Sequence, residues 1–299
     1  MIVNMTNIDD LLEKALSDSP IVQRIAIAEL SPLCDVRAAD VLVQVMHTAN
    51  RSVRVQAARA LAKIGTGAVS HLIGVLNADN RDSWTLASAT LLMIGSAAVP
   101  GLMDALTGES EQVRLLAVEV LGQIGDTRPI PQLVEILQSD NPALQTAAAA
   151  ALVRIGPESV QPLVVLMTAF HQPNLRRMVT EIISQIGEDA IAPLMTMLYE
   201  SSDLERSQVA WLTGSFGSAA VPSLLEALES ENASVRYAAA TALGQTGDNM
   251  AVAGLVNHLT DTAYISTMGK RVCDATAHAL EQIGTPDALG QVKSWRLQS

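Results

Sequence analysis

Apolar residues recur along the chain at helical spacing, in short runs that come in pairs. The clearest copy is residues 220–247, AVPSLLEALESENASVRYAAATALGQTG. Val221, Leu224, Leu225 and Leu228 stand at i, i+3, i+4 and i+7, one apolar face of a helix. Pro222 falls in that helix's first turn, where its missing N–H would have no partner anyway. Residues 229–234 are a polar turn. An Ala-rich run follows and stops at Gly247, the residue type that closes helices in a left-handed conformation. The pattern predicts two short helices back to back. Such a hairpin buries both apolar faces only when copies of itself lie on either side.

The copies are present. The closing Gly recurs at Gly65, Gly95, Gly125, Gly156, Gly187, Gly217, Gly247 and Gly284, in steps of 30 or 31 residues until a last step of 37. Residues 22–35 fit the same template with Cys34 in the Gly position. The predicted units are 8–34, 38–65, 68–95, 98–125, 128–156, 159–187, 190–217, 220–247 and 250–284, with a cap over 285–299. The first-helix Pro returns at Pro100, Pro131, Pro162, Pro193 and Pro222, and an Arg inside the second helix at Arg54, Arg114, Arg176, Arg206 and Arg236. An acidic residue precedes that Arg position at Asp18, Asp79, Glu109, Asp140 and Glu231. The two charged columns are expected to form a ladder bonding the turns of successive units, worth less than about 1 kcal/mol per exposed pair.

Departures from the template carry their own expectations. Thr6 or Asn7 caps the first helix after a short lead, and Pro32 ends the second helix of unit one early. Unit six has a longer turn around Phe170–Pro173. Unit nine has about seven extra residues near Asp261–Lys270, read first as a tolerated surface insertion and otherwise as a partner loop or a swapping hinge. Trp295 is placed over the last apolar face. No linker, charge block or low-complexity segment divides the chain, so a single domain over 1–299 is expected.

Composition narrows the function classes. Hydrophobic residues make up 49% of the chain and aromatics 3%, so Ala and Leu do the packing. The net charge of −12 argues against a nucleic-acid or anionic-membrane partner, since both need clustered Lys and Arg. Cys34 and Cys273 lie in the first and last units, and two lone thiols point to a reducing compartment. No apolar leader or apolar run of eighteen residues is present, and a cytoplasmic location is predicted.

The units VPxLLxAL…VRxxAAxALGxIGD resemble HEAT repeats, most closely the short bacterial HEAT-like repeats named after phycobilisome bilin lyases. The resemblance covers residues 8–284. It implies an all-α, right-handed α-α superhelix of about nine hairpins whose second helices line a concave face. That family includes subunits that attach or remove bilin chromophores on antenna proteins, and many adaptors.

Counting from the start of each second helix, positions +3, +6 and +10 form one stripe. It runs through Leu86, Met93, Leu116, Met178 and Trp211, with Arg59 and Arg154 among the polar residues around it. Trp84 stands at an Arg-column position. These eight residues are the candidate partner-binding set, Trp for rigid area and Met for adaptability. Leu86, Leu116 and Met178 equally fit an inter-repeat core, and Trp84 equally fits a cover over its neighbour.

Enzymatic readings find little support. His47, His71, His171, His258 and His278 show no metal-ligand spacing, and no His-Glu dipeptide of the kind repeated in HEAT-like di-iron hydroxylases is present. HEAT-like DNA glycosylases line their groove with basic and aromatic residues, which the acidic charge disfavours. Cys273, Asp274 and His278 read as ordinary helix residues. No catalytic, cofactor or metal residue is assigned. The expected function is a non-catalytic scaffold holding a protein or peptide on its concave face, with homodimerisation through the end units possible. The alternative, implied by the resemblance alone, is a subunit or helper of a bilin lyase.

Overall fold

The structure is a computed structural model and describes residues 8–78, 80–169 and 173–298. The expected caps at Thr6 and Asn7, the acidic position Asp79, the turn residues Phe170 to Gln172 and His171 among them lie outside the described residues. The described residues are all-α apart from one small hairpin, and the chain divides into two compact units, Met1–Ile155 and Gly156–Ser299. The division falls at one of the closing glycines.

The first compact unit holds five helical hairpins: α1 (Ile8–Ala15) with α2 (Pro20–Leu30), α3 (Ala39–Thr48) with α4 (Arg51–Ile64), α5 (Thr66–Leu76) with α6 (Arg81–Ile94), α7 (Val99–Ala105) with α8 (Glu111–Ile124), and α9 (Ile130–Ile136) with α10 (Pro142–Ile155). The second holds four: α11 (Val160–Ala169) with α12 (Pro173–Ile186), α13 (Ile191–Glu200) with α14 (Asp203–Gly214), α15 (Val221–Leu228) with α16 (Ala233–Thr246), and α17 (Val252–Asn257) with α18 (Val272–Ile283). A closing helix, α19 (Pro286–Arg296), lies on α18, with Trp295 half-buried. Within each unit, second helices lie against the next second helix, as α8 on α10 and α16 on α18, except that α12 has no comparable packing on α14.

The closing position has positive φ in every repeat, from 59° at Gly217 to 91° at Gly156. Cys34, which occupies that position in the first hairpin, also has positive φ, at 48°, and no other described non-glycine residue does. Pro32 lies just beyond the end of α2, as its missing N–H requires.

The low aromatic content has a direct structural reading. A Cβ placed on Gly122 of α8 would lie 2.6 Å from the Cα of Ala151 on α10, and one on Gly244 of α16 would lie 2.6 Å from the Cα of Ala279 on α18. At these two pairs the second helices therefore touch backbone to backbone. The core between them is built from Ala, Val and Leu, including Ala117, Leu121, Ala148 and Leu152 in the first unit.

The expected ladder of charges between units is seen at one pair among the described column arginines, Arg236 with Asp261 of the next unit; otherwise Arg114 and Arg206 bond main-chain carbonyls. Arg114 donates from Nη1 to the carbonyls of Gly108 (2.8 Å) and Glu109 (3.5 Å), in the turn of its own hairpin. Arg206 donates from Nε to Leu198 O at 2.7 Å and from Nη2 to Ser201 O. Arg236 donates from Nη1 to Ser230 O (2.8 Å) and Glu231 O (2.9 Å). Each guanidinium folds back over main-chain carbonyls of the turn or, at Leu198, of the last turn of the first helix. The acidic column contributes main-chain oxygens at Glu109 and Glu231, not its carboxylates. In unit five Gln145 replaces the Arg and donates to Leu137 O (3.2 Å) and Ser139 O (2.6 Å).

The extra residues of the last repeat form a β-hairpin, β1 (Tyr264–Ile265) antiparallel to β2 (Lys270–Arg271), turned at Gly269. It is clamped down rather than free. Ile265 is buried, Lys270 Nζ stands 5.7 Å from the ring centroid of Tyr237 on α16, and Thr267 donates to Asp203 at the start of α14. The inserted segment reaches three hairpins, its own and those of α13–α14 and α15–α16.

Candidate functional site

Positions +6 and +10 of the second helices reach the surface throughout. Arg59, Lys63, Met93, Gln123, Arg154, Gln185 and Trp211 are all exposed. Position +3 lies deeper, because it faces the neighbouring second helix. Leu86 and Met178 are half-buried there, and Leu116 is only 8% exposed. Leu116 thus belongs to the core under the strip, a correction to its place in the candidate set. The helix-to-helix contact explains it, since α8 is flanked by α6 and α10 on that side.

The candidates fall into two groups by compact unit. In the first, Trp84, Leu86 and Met93 share α6, with Arg59 on the adjacent α4 and Arg154 on α10. Trp84 is half-buried, and the guanidinium of Arg81 lies 5.8 Å from its ring centroid, so half of its π surface is already engaged by a cation. Met93 is 58% exposed. Leu86 lines a cavity of about 450 Å³ with Arg51, Arg54, Val55, Asp82, Thr85 and Ala89.

The second group centres on Trp211, 47% exposed on α14. Neighbouring second helices elsewhere in this unit, α14 and α16 or α16 and α18, lie side by side, but α12 and α14 stand apart. The gap is a cavity of about 770 Å³ lined by Pro173, Arg176, Arg177, Thr180, Glu181 and Ser184 of α12 and by Trp211. A half-exposed indole forms one wall. Two exposed guanidiniums, two hydroxyls and one carboxylate form the other. Met178 lies on α12 but not in this lining. The α12 residues stand at i, i+3, i+4, i+7, i+8 and i+11, a single helix face one position out of phase with the predicted stripe. A phase error of one residue, about 100° of rotation, was enough to hide them.

Arg176 departs from its column. The other column arginines, Arg54, Arg114, Arg206 and Arg236, are half-buried or buried, whereas Arg176 is exposed and faces the crevice. The crevice has the components of a recognition site, with aromatic area, two planar cations and short hydroxyl donors.

Cys273, His47, His71 and His258 of the catalytic readings each have a nearby partner. The Cys273 thiol is buried, and burial, followed by the Asp274 carboxylate, pushes its pKa up, away from a reactive thiolate. His47 Nδ1 lies 3.1 Å from Ser83 Oγ, His71 Nε2 lies 3.1 Å from Asp40, and His258 Nδ1 lies 3.1 Å from Gly254 O. Among the described residues no group of three or more His, Cys, Asp or Glu side chains is placed to hold a metal ion. Among them, too, no helix is long and apolar enough to cross a membrane.

Comparison with known proteins agrees with the architecture. Residues 8–93, 99–167 and 191–267 match the family described as HEAT repeats. No curated protein is a significant match. Among solved structures, an engineered protein is similar at 21% identity and a TM-score of 0.33, over 98% of this chain and 92% of that one. Human deoxyhypusine hydroxylase in complex with glycerol is similar at 24% identity and a TM-score of 0.32, over 85% of this chain and 99% of that one. The complex of CpcE and CpcF of phycocyanin lyase from Nostoc sp. PCC7120 is similar at 19% identity and a TM-score of 0.30, over 77% of this chain and 94% of that one. With well over half of its length matched by that family, the chain belongs to the HEAT repeat proteins.

Proposed function

We propose that this chain is a non-catalytic binding module that holds a protein or peptide partner on the exposed ridge of its second helices. The observation that carries the reading is Trp211, half exposed beside the only second-helix neighbours of its compact unit that stand apart among the described residues. An indole left in solvent has apolar area to bury, and Trp and Arg are the residue types that concentrate binding energy at interfaces. The crevice beside it supplies both. A partner side chain that is apolar in its body and acidic or hydroxylated at its tip fits between Trp211 and the pair Arg176 and Arg177.

The test is capture from native cell extract by the chain and by its Trp211→Ala variant. A partner retained by the first and lost by the second supports the reading. Equal capture by both overturns the assignment of the crevice. The finer reading, a helper of a bilin lyase, has the sequence resemblance behind it and places the tetrapyrrole on this same module. An unshifted visible absorption band on mixing the chain with a bilin retires it.

A further inference from the structure

On α4, Arg51, Val55, Arg59 and Lys63 follow one another at four-residue intervals, a single ridge along the helix. The three cations on it are exposed. Arg24, also exposed, faces the ridge from α2, and the side-chain amide of Gln56 ties the two helices by donating to Arg24 O at 2.8 Å. Arg24, Arg51, Ser52, Val55, Gln56 and Arg59 line a cavity of about 690 Å³ that contains no carboxylate. The ion pairs of this compact unit lie elsewhere, at Lys14–Asp10, Arg37–Asp35, His71–Asp40 and Arg128–Asp126. Asp82 lines the adjoining cavity on the other flank of α4. On a chain with a net charge of −12, Arg24, Arg51 and Arg59 in this groove, with Lys63 further along the same ridge, are a local reversal of sign.

We infer that this ridge, Arg51, Arg59 and Lys63 with Arg24 opposite, binds an extended, carboxylate-rich segment of a protein partner. The spacing selects the extended form. A helix rises 1.5 Å per residue, so Arg51 and Arg59 stand about 12 Å apart along the axis and Lys63 about 6 Å further. An extended chain repeats its side-chain direction about every 6.7 Å. Carboxylates at positions i, i+4 and i+6 of such a segment therefore meet the three cations in register. A small apolar residue at i+2 meets Val55. Guanidinium groups bind carboxylates through two parallel hydrogen bonds, which favours Arg at the first two positions. Duplex nucleic acid is disfavoured because it needs more phosphate contacts than four cations supply, against the repulsion of an acidic chain. The inference uses residues of the other compact unit nowhere and does not depend on the Trp211 crevice.

The experiment is fluorescence anisotropy with the full chain and a labelled ten-residue peptide alternating Asp with Ser or Val. The comparison ligand is the same peptide with Asn for Asp. The acidic peptide is expected to bind at least tenfold more tightly than the amide form, and its affinity to fall as NaCl is raised. Arg51→Gln/Arg59→Gln should weaken it at least tenfold, with Lys293→Gln unchanged. Equal binding of acidic and amide peptides by the unmodified chain overturns the inference whether or not the double variant folds. So does an unchanged affinity in a folded double variant, or tighter binding of a labelled DNA duplex than of the acidic peptide.

Discussion

Arg236 and Asp261 are 25 residues apart in sequence and form a mostly buried ion pair, with Nε donating to the carboxylate at 2.7 Å. The same guanidinium holds the turn carbonyls of Ser230 and Glu231, and Asp261 also accepts from the amide of Ala263 at 3.0 Å. One side chain therefore closes its own hairpin and fastens the inserted segment of the next. Asp261→Ala should leave Arg236 half-satisfied and cost roughly 1–3 kcal/mol, the range for leaving a buried polar group without its partner. Urea unfolding of the variant measures this. A cost near zero would mean that the insertion is not clamped through this pair.

Gly122 in a second helix and Gly74 in a first helix should respond oppositely to the same substitution. Gly122→Ala puts a methyl against the backbone of Ala151 and should cost about 1–3 kcal/mol by overpacking, despite the better helix propensity of Ala. Gly74→Ala, in α5 with nothing within 4 Å of the added carbon, should stabilise by up to about 1 kcal/mol. Thermal melts of the two variants, side by side, decide the matter. Shifts of equal sign would contradict the backbone contact between α8 and α10.

Cys34 occupies a left-handed position that the other repeats give to Gly. That conformation costs a residue with a Cβ about 1–2 kcal/mol, partly offset by the greater unfolded-state freedom of Gly. Cys34→Gly should therefore raise stability by roughly 0.5–1 kcal/mol, and Gly125→Val, with φ at 73°, should lower it. Chemical denaturation midpoints test both. A Cys34→Gly variant less stable than its parent would show that the thiol makes a contact worth more than the strain.

Several carboxylates are held below their ordinary range. Arg128 does this to Asp126, Arg37 to Asp35, the Ser218 hydroxyl to Asp248 and the Thr267 hydroxyl to Asp203. A folded-state pKa below the unfolded one adds stability that is fully present above the unfolded value of about 3.9. That stability is lost as pH falls through the lower folded values. The melting temperature should hold between roughly pH 7 and 5 and decline below about pH 4. Asp126→Asn should flatten the decline. A melting temperature that stays level down to about pH 2.5 would contradict the assignment.

The repeat was legible because its signals are local. The apolar spacing, the first-turn Pro and the closing Gly each act within one hairpin, so the all-α repeat architecture followed from the chain alone. What failed needed distances between elements. The Arg column was paired with the acidic column because charges attract, yet Arg114 and Arg236 satisfy main-chain carbonyls instead. Leu116 and the Arg176 face were misplaced for one reason, that a rotation of about 100° separates a buried position from an exposed one. The parting of α12 from α14 has no sequence signature that single-repeat reasoning would detect.

The central claim is that the second-helix ridge, with Trp211 at its crevice, is where a partner sits. A photo-crosslinking residue placed at Trp211, at Thr180 across the crevice, and at the exposed first-helix position Gln161 tests it most directly in native extract. The account predicts one and the same protein crosslinked from Trp211 and Thr180, and none from Gln161. Crosslinks to that protein from Gln161 alone, or unrelated proteins from Trp211 and Thr180, would contradict it.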